Sequence, residues 1–478
     1  MFQTQKLRKL LGIGSVLFVT SIIFFFHIIS SYNFDSDFGR DINDIYSIAN
    51  GNITLLGPKS SFGGIFTTPY YYYLFVPILL LSKFNWEGIL YFNAFLFSCA
   101  IAYIWYLLHE KYGVIKASLA ALSITLLPVV LISARNPGNA YTYIPLLMCF
   151  ITSIAQQKIE SKKVLIVLGL VGGVLIGTHY SNVVPVILLF IFIGFFQKKK
   201  GNILFLLAGF ISAFAPLILF ELKHTFIMFR NTFIDKSFSA FTENKNLAAT
   251  SQQSNNLFKN MLFINNEMMK VITMPAILYV AINAFITKNI KNNRIKLLLI
   301  PAVLSVIFVI IFFLKFQYAQ FYLYPVGVLL FLSTLFIILE TCQWKILLVV
   351  IAFQIITFPL YLYQPSQRKA EKFEKAVNYV IEQKIVDNDR SFNVMQIRPD
   401  VSITPYGFEY RYFLRKQGYE PQLVTEYNTS DSLIIFSEIP DLNVEKISNW
   451  EIEQFGKQYL KNVQKYSYND ISIYKITK

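Results

Sequence analysis

Acidic side chains are scarce where this chain of 478 residues is most apolar, with only 12 of its 28 Asp and Glu in residues 1–363. Basic residues are not depleted there. That portion therefore carries the whole formal charge of +15, while residues 364–478 balance 16 Lys and Arg against 16 Asp and Glu. A basic excess confined to the apolar part excludes nucleic acid as its cause and points to basic loops on one face of a membrane. Cysteine is nearly absent as well. Cys99, Cys149 and Cys342 lie apart in hydrophobic segments, with neither a CxxC pair nor a Cys/His metal pattern, so no disulfide framework or thiol chemistry is implied. Internal repeats and low-complexity linkers are also missing.

Apolar residues are abundant: 55% of the chain is hydrophobic and 17% aromatic, at a mean hydropathy of +0.48. A bilayer core of about 30 Å needs about 20 apolar residues per helix, and such runs recur from residue 10 to about 363. The sequence predicts an all-α polytopic membrane protein. Lys6, Arg8 and Lys9 precede an apolar run that is too long for a signal-peptide core and lacks a small-x-small cleavage site. The first helix is thus uncleaved, with its N-terminus cytoplasmic.

Positive charge orients the rest, since Lys and Arg translocate poorly in short loops. Lys158, Lys162 and Lys163, then Lys198 to Lys200, then Lys288, Lys291, Arg294 and Lys296, and finally Lys345 mark cytoplasmic loops. Between an outer segment after the first helix and Lys158 lie four apolar runs, near 70–83, 88–108, 114–132 and 140–156, of which an odd number must cross. The run at 70–83 is short, opens on four tyrosines and contains Pro77, so it is expected to be juxtamembrane or re-entrant. Further helices are expected near 164–180, 182–196, 202–220, 270–287, 297–314, 321–340 and 344–363. That gives about eleven transmembrane helices, with outer loops at 32–87, 133–139 and 221–267.

Residues 364–478 are expected to form a small extracytoplasmic α/β domain, following a membrane module of residues 1–363. Ala370, Phe373, Val377, Val380 and Ile381 recur at helical spacing, and short β-rich runs follow at 392–397, 433–436 and 471–476. No catalytic motif is visible in this domain. Its expected role is acceptor access or stability, with Glu409 and Arg411 tolerant of change.

The notable polar groups of the membrane module gather in the outer loops. The first holds Asp35, Asp37, Asp41 and Asp44, then Gly57-Pro58-Lys59 and Pro69-Tyr70. Later loops supply Ser133-Ala134-Arg135-Asn136, Gly177-Thr178-His179 and Phe220-Glu221-Leu222-Lys223-His224. In this order the motifs, with Asp37-Phe38-Gly39-Arg40-Asp41 foremost, resemble those of the C-type membrane glycosyltransferases over roughly residues 10–340. The likeness is greatest to bacterial members related to the protein O-mannosyltransferases and the aminoarabinose lipid A transferases. Phe38 stands where relatives often have Glu, and Thr67-Thr68-Pro69 where they have Lys-Pro-Pro, with Lys59 as a candidate substitute for that lysine.

The resemblance implies a polyprenyl-phosphate sugar donor, transfer on the non-cytoplasmic face, and Asp37 as catalytic base. The chemistry agrees. Phosphate leaves without much protonation, so one carboxylate that takes the proton of the acceptor hydroxyl suffices, whereas hydrolysis of a glycoside usually needs two. Asp41 is expected to support the base, bind the acceptor or cap the helix suggested by Ile42, Ile45 and Ile48; Asp35 and Asp44 are expected to be solvated loop charges. Arg135, His179, Lys59, Glu221, Lys223 and His224 are the candidates for phosphate and sugar. Each has a plainer reading: a loop arginine, a helix cap, interfacial residues.

The expected function is transfer of one sugar, with inversion, to an extracytoplasmic glycan, lipid or protein acceptor, by a multi-pass plasma-membrane protein surrounded by membrane lipids. No cofactor is required, though an aspartate cluster leaves a divalent cation open. A lipid-linked glycan transporter or flippase would instead place ionisable groups inside its spans. An envelope-binding scaffold would leave the aspartates without a task.

Overall fold

The computed structural model describes residues 2–60, 64–157, 159–197, 199–234, 293–313, 320–341, 343–387, 389–399 and 405–478. In chain order the helices are α1 (Phe2–Phe25), α2 (Ile28–Ser31), α3 (Ser36–Ala49), α4 (Tyr70–Leu81), α5 (Glu87–Tyr112), α6 (Val114–Thr125), α7 (Pro128–Ala134), α8 (Asn139–Thr142) and α9 (Ile144–Gln156). Then come α10 (Lys162–Thr178), α11 (Val183–Phe195), α12 (Ile203–Ala213), α13 (Ala215–Lys223) and α14 (Ile227–Phe233). Beyond residue 292 follow α15 (Asn293–Leu297), α16 (Leu299–Phe313), α17 (Tyr324–Glu340), α18 (Lys345–Ile356), α19 (Ala370–Glu382), α20 (Phe408–Lys416) and α21 (Trp450–Phe455). Four strands complete the chain: β1 (Phe392–Ile397), β2 (Ser432–Ser437), β3 (Val463–Tyr468) and β4 (Ile471–Thr477).

These elements form two units. One comprises Met1–Ile28, Ile53–Phe75 and Glu87–Tyr363; the other comprises Ile29–Asn52, Val76–Trp86 and Gln364–Lys478. The second unit thus takes in the aspartate helix α3 along with the expected C-terminal domain.

In the first unit, α5 with 26 residues and the stretch Gln320–Glu340 with 21 are each long and apolar enough to cross a bilayer. α6 with α7, bent by 67°, and Lys200–Ala213 with α13, bent by 57°, qualify only as pairs. Pro128 and Pro216 sit at the starts of α7 and α13, where proline cannot continue the preceding hydrogen-bond ladder. By length and composition the described residues hold two such helices, or up to four spans if each pair is one, against the eleven expected from hydropathy. The helix expected near 270–287 and much of the loop at 221–267 lie outside the described residues.

α10 and α12 approach so closely that only glycine fits between them. A Cβ on Gly169 would stand 1.9 Å from the Leu206 carbonyl oxygen, and one on Gly209 would stand 2.0 Å from that of Ile166. Small residues at helix crossings are how apolar helices pack without a hydrophobic driving force between them. Charge collects at one end of this unit. Lys9 reaches Glu110 at 2.6 Å, Lys111 pairs with Glu340, and Arg294 donates to the Gln157 carbonyl at 2.6 Å. The start of α1 and the ends of α5, α9 and α17 are therefore level.

The second unit is built on a four-stranded sheet in the order β1-β2-β4-β3. β1 and β2 run parallel, joined by a crossover that contains α20. β3 and β4 form a hairpin closed by the two-residue turn Asn469-Asp470, where Asn469 takes the left-handed φ of 50° that asparagine tolerates. α19 buries Ala370, Phe373, Val377 and Val380, as their spacing predicts, together with Ala376, while Ile381 is only half-buried.

α3 packs on α20. A Cβ on Gly39 would come within 3.0 Å of the Glu409 amide nitrogen, so the absence of a side chain there sets the distance between the helices. The Asn43 amide donates to the Phe408 carbonyl at 2.9 Å. Arg415 donates to the Asn43 carbonyl at 3.0 Å and to Ser47 Oγ at 2.9 Å. Phe34, fully buried, packs on Phe38, Trp86, Phe373 and Phe413. Glu409 and Arg411, expected to be tolerant, are core residues. Glu409 is 0% exposed and accepts from Arg368 at 2.9 Å, while Arg411 donates to the carbonyls of Tyr406, Gln422 and Val394 and to the Asn393 side chain.

Candidate functional site

The α3 aspartates differ because of where the helix begins. Asp35, expected in solvent, is its N-cap: its side chain accepts from the Phe38 amide at 2.9 Å, and burial raises its pKa. The helix therefore starts at Ser36, and Asp41 lies in its body, so Asp41 is not the cap. Asp37, in the first turn where the helix dipole favours a negative charge, has a side chain 83% exposed.

Arg40 joins the two inner carboxylates. Its Nη1 donates to Asp37 at 3.0 Å, while its Nε and Nη2 both donate to Oδ1 of Asp41 at 2.8 and 2.6 Å. Asp41 is 1% exposed, and burial pushes its carboxyl up to about 7 against the opposing pull of Arg40. An exposed carboxylate is thus steered by a guanidinium that a buried carboxylate holds. Such a group is free to approach an acceptor hydroxyl and take its proton.

The other candidates belong to the first unit. Arg135 is 7% exposed and donates through Nη1 to the carbonyls of Phe24 and Phe26, both at 2.9 Å. Its guanidinium lies 4.1 Å from the Tyr363 ring centroid. Arg135 therefore closes the C-terminal end of α1, satisfying carbonyls that a helix leaves free.

His179 follows α10 inside an aromatic enclosure. Its ring stacks on Tyr143 with centroids 5.5 Å apart and meets Phe321 and Tyr322, both at 5.6 Å. Nδ1 shares a hydrogen bond of 2.7 Å with Ser181 Oγ. The three aromatic neighbours escaped notice in the sequence, where 321–322 read only as the start of an apolar run.

Lys59 is exposed on a loop in which the Gly57 amide donates to the Thr67 carbonyl at 2.8 Å and the Thr67 amide donates to the Pro58 carbonyl at 3.0 Å. That loop docks on the segment of His179, through the Thr68 amide to the Gly177 carbonyl at 2.8 Å and the Tyr180 hydroxyl to the Phe66 carbonyl at 2.6 Å. The structure thus brings the neighbourhoods of Lys59 and His179 together. Glu221 is spent on structure, its oxygens accepting from the amides of Met228 and Phe229 at the start of α14, both at 3.0 Å. Lys223 is exposed, and His224 stacks on Phe220 with centroids 4.2 Å apart.

Among the described residues no three His, Cys, Asp or Glu side chains converge as a metal site would need. At the aspartates, the guanidinium of Arg40 bridges Asp37 and Asp41.

No family model matches the sequence, and no curated protein matches it. Solved structures do. The crystal structure of ArnT from Cupriavidus metallidurans bound to undecaprenyl phosphate superposes with a TM-score of 0.60 at 10% identity, covering 97% of each chain. The fold is ArnT-like. The same ArnT in the apo state gives 0.58 at 10% identity, again over 97% of each chain. The likeness is one of fold, and it agrees with the C-type membrane glycosyltransferase architecture that the sequence resembles.

Proposed function

We propose that this protein is an integral membrane glycosyltransferase that moves one sugar from a polyprenyl-phosphate donor to a hydroxyl of an extracytoplasmic acceptor. The observation that carries this reading is an exposed, arginine-steered carboxylate, Asp37, in a chain whose ArnT-like fold extends over 97% of its length. Undecaprenyl phosphate is what that ArnT holds in its crystal structure, and it serves here as the donor's lipid.

Asp37 accepts the acceptor's proton as the oxygen attacks the anomeric carbon. The bond to phosphate breaks in the same displacement, the polyprenyl phosphate departs with the electron pair, and the anomeric centre inverts. Asp41 acts through Arg40, keeping Asp37 in place. Lys59, His179, Lys223 and His224 retain side-chain groups for phosphate and sugar, whereas Arg135 and Glu221 serve the scaffold. In this reading about eleven spans place the N-terminus in the cytoplasm and residues 364–478 outside.

The test is turnover by the purified chain of undecaprenyl-phosphate-linked sugars, together with mass analysis of envelope glycans with and without the gene. A sugar-bearing envelope component lost with the gene, and restored by the wild type but not by Asp37→Asn, is the expected result. An unchanged envelope together with no turnover of any polyprenyl-phosphate sugar would remove the assignment.

A further inference from the structure

A cavity of about 410 Å³ opens in the second unit between the first half of α19 and the β3–β4 turn, and no residue of α3 lines it. Small-molecule pockets typically run to about 300–1,000 Å³, so the space suits one or two sugar rings. Lys369, Lys372 and Lys375 form one wall, and Tyr468, Asn469 and Asp470 form the other. Their spacing of three residues sets the lysines on one helix face.

Two of the ammonium groups are already held. Lys372 lies 2.6 Å from Asp470 and Lys375 lies 2.6 Å from Glu371. Lys369 is exposed, and its side chain makes no hydrogen bond or ion pair among the described residues. With Glu371 and Asp470 as its carboxylates, the lining keeps one net positive charge. Lys369 is also the N-cap of α19, where no side chain closes the first turn, so free amides and the positive end of the helix dipole add to that charge. Beside these groups stand the Asn469 and Gln367 amides and the ring of Tyr468, which rests 5.1 Å from Tyr379. Ammonium groups suit a phosphate, amides suit hydroxyls, and an aromatic ring suits the apolar face of a sugar.

We propose that this cavity binds a phosphorylated saccharide. The binding goes beyond the glycosyltransferase reading and stands apart from it. A phosphorylated sugar meets the whole wall. A neutral sugar or a bare phosphate meets only part of it.

The experiment measures binding of glucose 6-phosphate to the full chain in nanodiscs of neutral lipid, with glucose, inorganic phosphate and nanodiscs containing anionic lipid as separate arms. Glucose 6-phosphate should bind at least about tenfold more tightly than glucose or phosphate, since one charge-assisted hydrogen bond is worth about that factor. The double variant Lys369→Gln, Lys375→Gln should lose about tenfold or more by the same measure. Both side chains lie in solvent, and Lys369→Arg with Lys375→Arg should keep the binding and report on folding. Equal binding of glucose, phosphate as effective as the sugar phosphate, indifference to the glutamine variants, or competition from anionic lipid alone would each overturn the proposal. Glucose 6-phosphate bound as expected by a chain that turns over no polyprenyl-phosphate sugar would leave the cavity standing and remove the transferase reading.

Discussion

Arg40 lies along Asp41, donating from Nε and Nη2 to a single carboxylate oxygen at 2.8 and 2.6 Å, and thereby offers Nη1 to Asp37. The two aspartates, four positions apart, thus stand in opposite surroundings, one exposed and one buried, and substitution should separate their roles. Asp37→Asn should leave thermal stability within about 0.5 kcal/mol, as befits an exposed side chain, and should lower transfer by about 10²–10⁴-fold. Asp41→Asn should lower both stability and transfer, with its effect on transfer vanishing in an Arg40→Gln background. Additive losses in that double-mutant cycle would mean that Asp41 acts on the reaction directly.

The buried carboxyl of Asp41 also gives stability a pH dependence of known sign. Its folded-state pKa of about 7 exceeds the usual value of about 3.9, so the folded protein holds the proton more tightly than the unfolded chain does. The stabilising contribution is complete below about pH 4 and disappears as pH rises through about 7. Burial shifts Asp35 and Glu409 in the same direction. Melting temperature should therefore fall from pH 5 to pH 8, and Asp41→Asn should flatten the slope without abolishing it. A melting point that rises over this range would contradict the burial of Asp41.

Arg135 offers a choice between two roles that one measurement decides. Because its Nη1 serves the Phe24 and Phe26 carbonyls, Arg135→Gln should cost about 1–3 kcal/mol of stability while leaving the affinity for undecaprenyl phosphate unchanged. A loss of affinity at constant melting temperature would restore the phosphate role suggested by its position in the sequence.

Changes in the C-terminal segment should be severe, contrary to the expectation from its charge balance. Glu409→Gln leaves Arg368 with Glu438 alone and should cost about 1–3 kcal/mol; Arg411→Ala strips a donor from three carbonyls and should cost about 3 kcal/mol or more. A chain ending at Tyr363 should show rapid amide exchange across 36–49 and no turnover. Protected amides there, with slow turnover, would mean that α3 stands without α20.

The sequence was most legible where one face of an element is apolar. The run at 392–397 is β1 as observed, and the buried face of α19 follows from its spacing. β3 was missed because its residues, Val-Gln-Lys-Tyr-Ser-Tyr, belong to an exposed edge strand with little apolar alternation. α20 is hidden in the sequence because its charged residues Glu409, Arg411 and Arg415 break any apolar periodicity, and each is matched by a partner distant in sequence. Such partners are invisible locally. Asp37 stands out in the sequence only as part of a motif, whereas its bond from Arg40 depends on where α3 begins, and that is fixed by the Asp35 cap.

The bond from Asn43 to Phe408 spans 365 residues, which gives the helix interface an order in time. At about 5–20 residues per second, the ribosome needs roughly 20–70 s to deliver those 365 residues. Throughout that interval α3 has been made and α20 has not. A nascent or prematurely released chain therefore carries its aspartates without the surface that seats them until synthesis has reached the far end of the protein.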